Sequence, residues 1–341
     1  MSGPVKEDTM KSLCGLTASE IAELGECNEK HSLAIANWLY KSKPGGMELI
    51  PDVPRKIKEK LKDISFPGVF APVSSLKSAD GTVKFLFRNE SGQEFETVLL
   101  RDAKRTTVCV SSQSGCRMGC PFCATGKYGF RGNLSVRDIL TQVLAPGIEG
   151  KVTHVVFMGM GEPMDNIDNV LRACEIMTAS WGMAISPGKI TVSTVGITPG
   201  VRKYLGSCNS NLALSLFSPF LEERLRSVPA EKSYPAREII ELMKSATSLK
   251  KRRMSVAYIM IRGVNDTAAH LEALKGLLHG SGIRVNLLPY HQLPGDVNIS
   301  SPLETMNKFR HDLVISGISA SIRKSKGADI SAACGLLAAG L

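Results

Sequence analysis

From residue 106 onward, short apolar runs of strand character take turns with amphipathic helical runs. The strand-like runs are TTVCVSS, VTHVVFM, KITVST, NLALSLF, MSVAYIM, IRVNLLP and ISASIRK. Between them lie SVRDILTQVL, NIDNVLRACEIMTA, AREIIELMKSA, TAAHLEALKGLL and PLETMNKFRHDLVIS, whose apolar positions recur at helical spacing. Such alternation builds parallel strands joined by crossover helices. Roughly six units are too few for a closed eightfold barrel. The expectation is therefore an α/β fold, a partial (β/α)6-type barrel over residues 106–325, with its site at the C-terminal ends of the strands.

Ahead of this core, residues 1–66 predict a helical accessory domain. Thr17-Ala-Ser-Glu20 has the capping-box pattern, HSLAIANWLY carries an apolar stripe, and PRKIKEKLKDI is basic. Over 67–105 the period changes to two. VKFLFRN and EFETVLL flank Asn89-Glu-Ser-Gly92, which predicts a β-hairpin connecting segment. Residues 326–341 form a C-terminal tail.

Among 341 residues, 42 Lys and Arg face 32 Asp and Glu, a net charge of +10. That balance favours an anionic partner, nucleic acid first, because clustered cations release counterions from phosphates. Basic clusters are Arg55-Lys56 with Lys58, Lys60 and Lys62; Lys104-Arg105; Lys250 to Arg253; and Arg323 to Lys326. The longest apolar runs are too short to span a bilayer. Nine cysteines, an odd and unevenly spaced set, point to a reducing compartment. The acidic first thirty residues are unlike an organelle transit peptide. A cytoplasmic, monomeric protein without membrane contact is expected.

The stretch GCRMGCPFC places Cys116, Cys120 and Cys123 on one turn after a strand. Thiolates select zinc or iron–sulfur clusters. Structural zinc takes four ligands, usually as two separated pairs. Three thiols on one tight loop instead suit three corners of a cubane, leaving one iron open; a zinc knuckle completed by a distant His or Cys is the alternative. One βα unit later, VVFMGMGEP is a buried strand running into Gly159, Gly161 and Glu162. Glycines there let a ligand approach the backbone, and Glu162 can accept hydrogen bonds from an ammonium group.

The spacing resembles the signature of the radical S-adenosylmethionine (SAM) superfamily. Together, VCVSSQSGCRMGCPFCATG, YGFRGNL, MGMGEPMDN, STVGI, LALSLF and ADISAACGLL resemble one family along nearly the whole chain, the dual-specificity 23S ribosomal and transfer RNA adenine-C2 methyltransferases. The resemblance implies a radical SAM barrel with a [4Fe–4S] cluster on Cys116, Cys120 and Cys123, and SAM on the open iron. It implies contacts to SAM from Gly161, Glu162, Ser193, Ser215, Leu216, Phe217 and His291. By the same resemblance Cys334 accepts a methyl group from one SAM. A second SAM yields a 5′-deoxyadenosyl radical that takes hydrogen from this methyl, and the carbon radical adds to C2. Cys109 then resolves the adduct by forming a disulfide with Cys334, and Glu96 is the proton acceptor. The implied partners are 23S rRNA or tRNA and an electron donor such as a flavodoxin or ferredoxin.

Three positions depart from the family pattern: Phe217 stands for the usual His, His291 for Asn, and Ala257 for an acidic residue. Phe217 has no ring donor, so its contact must be stacking or backbone. Two other readings fit the motifs: a relative methylating adenine C8, and a degenerate member that binds RNA or a cluster without methylating. Retention of Cys109, Cys334 and all three cluster cysteines speaks against the degenerate copy.

Overall fold

The computed structural model describes residues 10–42, 46–145, 150–249 and 252–338. Lys250 and Lys251 of the third basic cluster lie outside the described residues. The N-terminal layer comprises β1 (Lys11–Ser12), α1 (Ala18–Gly25), α2 (Glu29–Lys41), α3 (Arg55–Ile64) and β2 (Ser65–Phe66), with β1 and β2 paired in parallel. Thr17 caps α1 as a full capping box with Glu20, as its sequence predicts.

Next come β3 (Ser74–Lys77), β4 (Val83–Arg88), β5 (Glu94–Asp102), β6 (Arg105–Val110), β7 (Gln113–Ser114), α4 (Ala124–Tyr128), β8 (Gly132–Asn133) and α5 (Val136–Leu144). Then follow β9 (His154–Phe157), α6 (Ile167–Thr178), β10 (Ile190–Thr194), α7 (Thr198–Ser207), β11 (Asn211–Ser215), α8 (Leu221–Ser227) and α9 (Ala236–Leu249). The chain continues through β12 (Met254–Met260), α10 (Ala268–Leu278), β13 (Arg284–Pro289), α11 (Leu303–Ile315) and β14 (Ala320–Ile322).

One ten-stranded sheet organises the molecule, in the order β14-β13-β12-β11-β10-β9-β6-β5-β4-β3. From β6 to β14 every pairing is parallel, and each strand lies beside its sequential neighbour in the sheet. The hairpin β4–β5 pairs Phe87 with Phe95 across the expected turn and continues antiparallel into β6. The sheet therefore has two edges, β3 and β14.

Period-two burial explains why the strands curl around an interior. On β10, Ile190 and Val192 are buried, whereas Thr191 and Ser193 face cavities. On β13, Val285 and Leu287 are buried, whereas Arg284, Asn286 and Leu288 face inward. Apolar side chains thus pack on the helices, and small or polar ones are left to line the lumen.

Helices α7 and α8 are absent from the sequence expectation. Pro199 and two glycines mask α7, but the proline sits in the first turn, where its missing N–H costs nothing. Short α8 supplies Arg224, which is buried with its partner Glu231 at 2.6 Å. Arg224 also donates to the carbonyls of Ser215 (3.0 Å), Val195 (3.2 Å) and Leu216. One guanidinium so ties together the C-terminal ends of β10 and β11. Glu231 in turn accepts from the Ala236 amide opening α9.

Removing one member of a buried pair strands the other charge. Arg224→Met is expected to destabilise the protein by about 3–5 kcal/mol, with Arg224→Met/Glu231→Leu recovering much of the loss. Urea unfolding measures both, and equal stability of Arg224→Met and the parent would refute the role.

Candidate active site

Strand β6 delivers the chain into the cysteine turn. The turn closes through the Cys116 amide to the Gly129 carbonyl (3.1 Å) and the Cys123 amide to the Cys120 carbonyl (3.2 Å). Gly115 and Gly119 adopt left-handed φ values of 73° and 65°, which a side chain would oppose. Cys123 then caps α4. All three thiols line one cavity of ≈ 170 Å³, walled largely by Met118, Phe122, Phe217 and Ile259. Burial pushes the Cys116 thiol up to about 12 and also raises Cys120, with the Cys123 sulfur adding to both shifts. Such a set ionises when a cation replaces its protons. Among the described residues no three Cys, His, Asp or Glu side chains form a site for a lone metal ion. Three thiols on one cavity wall are ligands of the type an iron–sulfur cluster takes.

The loop after β9 forms the next wall. Gly161 has φ +94°, and a Cβ there would stand 2.5 Å from the Gln113 Cβ. Gln113 bonds the Glu162 amide (2.9 Å) and Asp165 (2.7 Å), welding the loop to the segment before the cysteines. Arg117 pairs with the same Asp165 oxygen (2.7 Å) and lies over the Phe130 ring. The Glu162 carboxylate accepts from the amides of Met164 (3.0 Å) and Val195 (2.9 Å). Burial nevertheless raises its pKa to about 7.

The remaining SAM candidates divide. Ser193 and Ser215 stand 3.2 Å apart on adjacent strands and face the cluster cavity. Phe217 joins them in a left-handed conformation (φ +63°), its ring stacked on Phe122 at 5.0 Å and its carbonyl held by Asn265. Leu216 is buried and lines neither cavity; its amide bonds Ala257 and its carbonyl accepts from Arg224. His291 faces a second cavity, where it bonds Ser325 (2.9 Å), and burial lowers its pKa.

That second cavity, of ≈ 660 Å³, occupies the lumen beneath the tail and contains Cys109. Met158, Leu288, Leu337 and Cys334 line both cavities. Cys334 therefore stands at their junction. It is solvent-accessible yet crowded by protein, which raises its pKa. Cys109 is buried, and burial followed by the nearby Cys334 sulfur pushes its pKa up to about 12.

Glu96 takes a different place. It is buried against Lys84 at 2.8 Å and accepts from the Ala338 amide at 2.9 Å. Neither cavity reaches it. The tail is further fixed by the Ala124 amide to Gly335 (2.8 Å) and Thr125 to Leu337 (2.6 Å). Neither this clamp nor the role of Arg224 carries a motif in the sequence.

A model of the radical SAM superfamily matches residues 110–274, the stretch that contains the cysteine turn and the glycine loop. A Bacteroides fragilis protein described as "Probable dual-specificity RNA methyltransferase RlmN" is 41% identical over 95% of both chains. A Mycolicibacterium vanbaalenii protein of the same description is 38% identical over 94% of this chain and 92% of its own. The crystal structure of a radical SAM methyltransferase from Sphaerobacter thermophilus superposes with a TM-score of 0.89 at 34% identity, covering 96% and 99% of the two chains. The chain belongs to the RlmN family of radical SAM methyltransferases. It is thus an enzyme that transfers a methyl group, and membership implies an iron–sulfur cluster and SAM.

The buried Glu162 makes stability depend on pH. Its native pKa, about 7, lies above the ordinary 4.5, so between those values the native state holds a proton that the unfolded chain has lost. Stability of the metal-free protein should fall as pH rises through this window, by roughly 3 kcal/mol in all. Glu162→Gln should flatten the dependence in urea titrations, and an unchanged slope would contradict the burial argument.

Proposed function

We propose that this enzyme methylates C2 of adenine in 23S rRNA, tRNA or both, through a methylated Cys334. The observation that carries the reading is the position of Cys334, shared by the cavity of the cluster thiols and the cavity of Cys109. The relatives' description as dual-specificity RNA methyltransferases supports RNA as substrate. Adenine C2 is electron-poor and has no lone pair for an electrophilic methyl, so simple displacement at SAM fails there. When bound, a [4Fe–4S] cluster and two SAM molecules per turnover supply the methyl carbon and a one-electron, hydrogen-abstracting reagent.

The chain's own groups do the rest. Cys116, Cys120 and Cys123 hold the cluster, and the Gly161 backbone, Glu162, Ser193 and Ser215 hold SAM beside it. Phe217 contributes a ring face, Leu216 a backbone held in place by Arg224. His291 acts from the larger cavity, toward the nucleotide side. The apolar wall keeps water from the reactive centre.

The Cys334 thiol loses its proton and takes the methyl as a thioether. Once a hydrogen atom has been removed from that methyl, its carbon bonds to C2. The adduct gives up one electron to the redox centre that would be bound beside it, and the C2 proton to a base. Release needs a second sulfur: Cys109 loses its proton and attacks the Cys334 sulfur. The S–S bond forms as the bond from that sulfur to the adduct carbon breaks, and its electron pair returns to the adenine-bound carbon, which takes up a proton to become the methyl group. Reduction of the disulfide by an external thiol restores both thiols, and a flavodoxin or ferredoxin is the proposed electron donor to the cluster. Glu96 is the proposed proton acceptor. Its Oε2 accepts the Ala338 amide, so loosening the tail at Ala338 exposes it.

Three measurements test this reading. Anaerobic reconstitution with iron and sulfide should give a brown protein, and Cys120→Ala should stay colourless; retention of colour would remove the cluster assignment. Cys334→Ala should lose methyl transfer entirely while still binding RNA. Nucleoside mass spectrometry of treated RNA should show 2-methyladenosine. Finding 8-methyladenosine would move the reaction to C8, and finding neither would favour a non-methylating binder.

A further inference from the structure

The larger cavity opens at the end of the lumen opposite the cysteine turn, and its rim is cationic. Arg105 opens β6, Lys189 directly precedes β10, Arg253 directly precedes β12 and Arg284 opens β13. The pairings Thr107 with His154, Val155 with Ile190, Leu212 with Met254 and Ser255 with Arg284 place these residues at one level, the N-terminal edge of the strands. All four are exposed and line the cavity. Among the described residues none of the four side chains has a hydrogen bond or ion pair. The acid on the cavity wall, Asp102, is already paired with Lys326. Burial and then the charges of Arg105 and Lys189 lower the pKa of His154, which stands between them.

Four unpaired cations around one opening repel each other, and the repulsion is relieved by an anion. The cavity behind them has the size of a small-molecule site. Along β6, Arg105 and Cys109 are four residues apart, about 13 Å of strand. A flexible arginine together with one nucleotide spans that distance. An enzyme that alters a base must first extrude it from its stack, and the flanking phosphates then need a fixed seat.

We infer that RNA enters the lumen at the strand N-terminal end, with Arg105, Lys189, Arg253 and Arg284 seating the phosphates beside the extruded adenosine while its base reaches Cys334. This rests on the proposed RNA reaction. An acidic electron-carrier protein is the rival occupant. Its target, the cluster, belongs to the other cavity, at the far ends of the strands, and the ring opens instead on Cys109 and Cys334.

The test uses the reconstituted full chain and a fluorescent RNA hairpin with an adenine in its loop, with anisotropy followed across salt concentrations. Each of Arg105→Gln, Arg253→Gln and Arg284→Gln should reduce the slope of log affinity against log salt by about 0.7–0.9. The triple variant should bind at least about tenfold more weakly, equally for hairpins of different loop sequence. Arg202→Gln, which removes an outward cation paired with Glu238, should leave the slope unchanged. Thermal melting confirms that the variants fold. An unchanged slope in the folded triple variant overturns the inference, and slower cluster reduction by flavodoxin in that variant would assign the ring to the electron carrier. If the slopes fall but the parent enzyme yields no methyladenosine, the seat stands and the reaction assignment fails.

Discussion

The clamp on the C-terminal tail is the constraint on which the site depends. Beyond β14 the chain leaves one edge of the sheet and crosses to the other. There Asp329 accepts from Ser78 (2.6 Å) and the Ala79 amide (3.1 Å), and Asp80 accepts from the Gly327 amide (2.9 Å). Lys326 reaches the Arg101 carbonyl (2.9 Å) and Asp102. Farther on, Ala124, Thr125 and Glu96 hold Gly335, Leu337 and Ala338. Each neutral bond contributes about 0.5–1.5 kcal/mol net and each charged one about 1.5–3. Several acting together overcome the entropy of ordering a segment with little secondary structure. The result is a cysteine held between two chambers by contacts on both sides of it in sequence.

The two chambers differ because the strands' inner faces differ along their length. Toward the C-terminal ends lie cysteines, glycines, serines and aromatic rings, a small and largely apolar space. Toward the N-terminal ends the same faces carry Arg, Lys, His and Asn, a larger and wetter one. Radical chemistry wants the dry chamber, and a polyanion wants the basic one. In the proposed reaction a sulfur at their boundary carries carbon from one to the other while the RNA stays on its own side.

Local periodicity made much of the architecture legible. Alternation of strand and helix, the Thr17 capping box and the Asn89 to Gly92 turn depend on residues close in sequence, and each forms as read. The cysteine spacing was legible for the same reason. Contacts that span the chain were not: Ser78 and Asp329 meet across 251 positions, and neither carries a pattern. Arg224 carries no sequence pattern of its own, because burial of a guanidinium depends on three carbonyls that converge only after folding. Arg105 and Arg253 stand in basic clusters of the sequence, but the ring they form with Lys189 and Arg284 is not legible there because its members lie on four separate segments. The basic cluster on α3, prominent in sequence, is partly neutralised by Glu59, Glu26 and Glu48.

In the proposed function Cys334 carries the methyl carbon. Reconstituted, reduced enzyme incubated with methyl-deuterated SAM, then digested and analysed by peptide mass spectrometry, tests it directly. A labelled thioether is expected on Cys334, on no other cysteine, and it should disappear when RNA is added. Label arriving in RNA with Cys334 never modified, or settling on another cysteine, would contradict it.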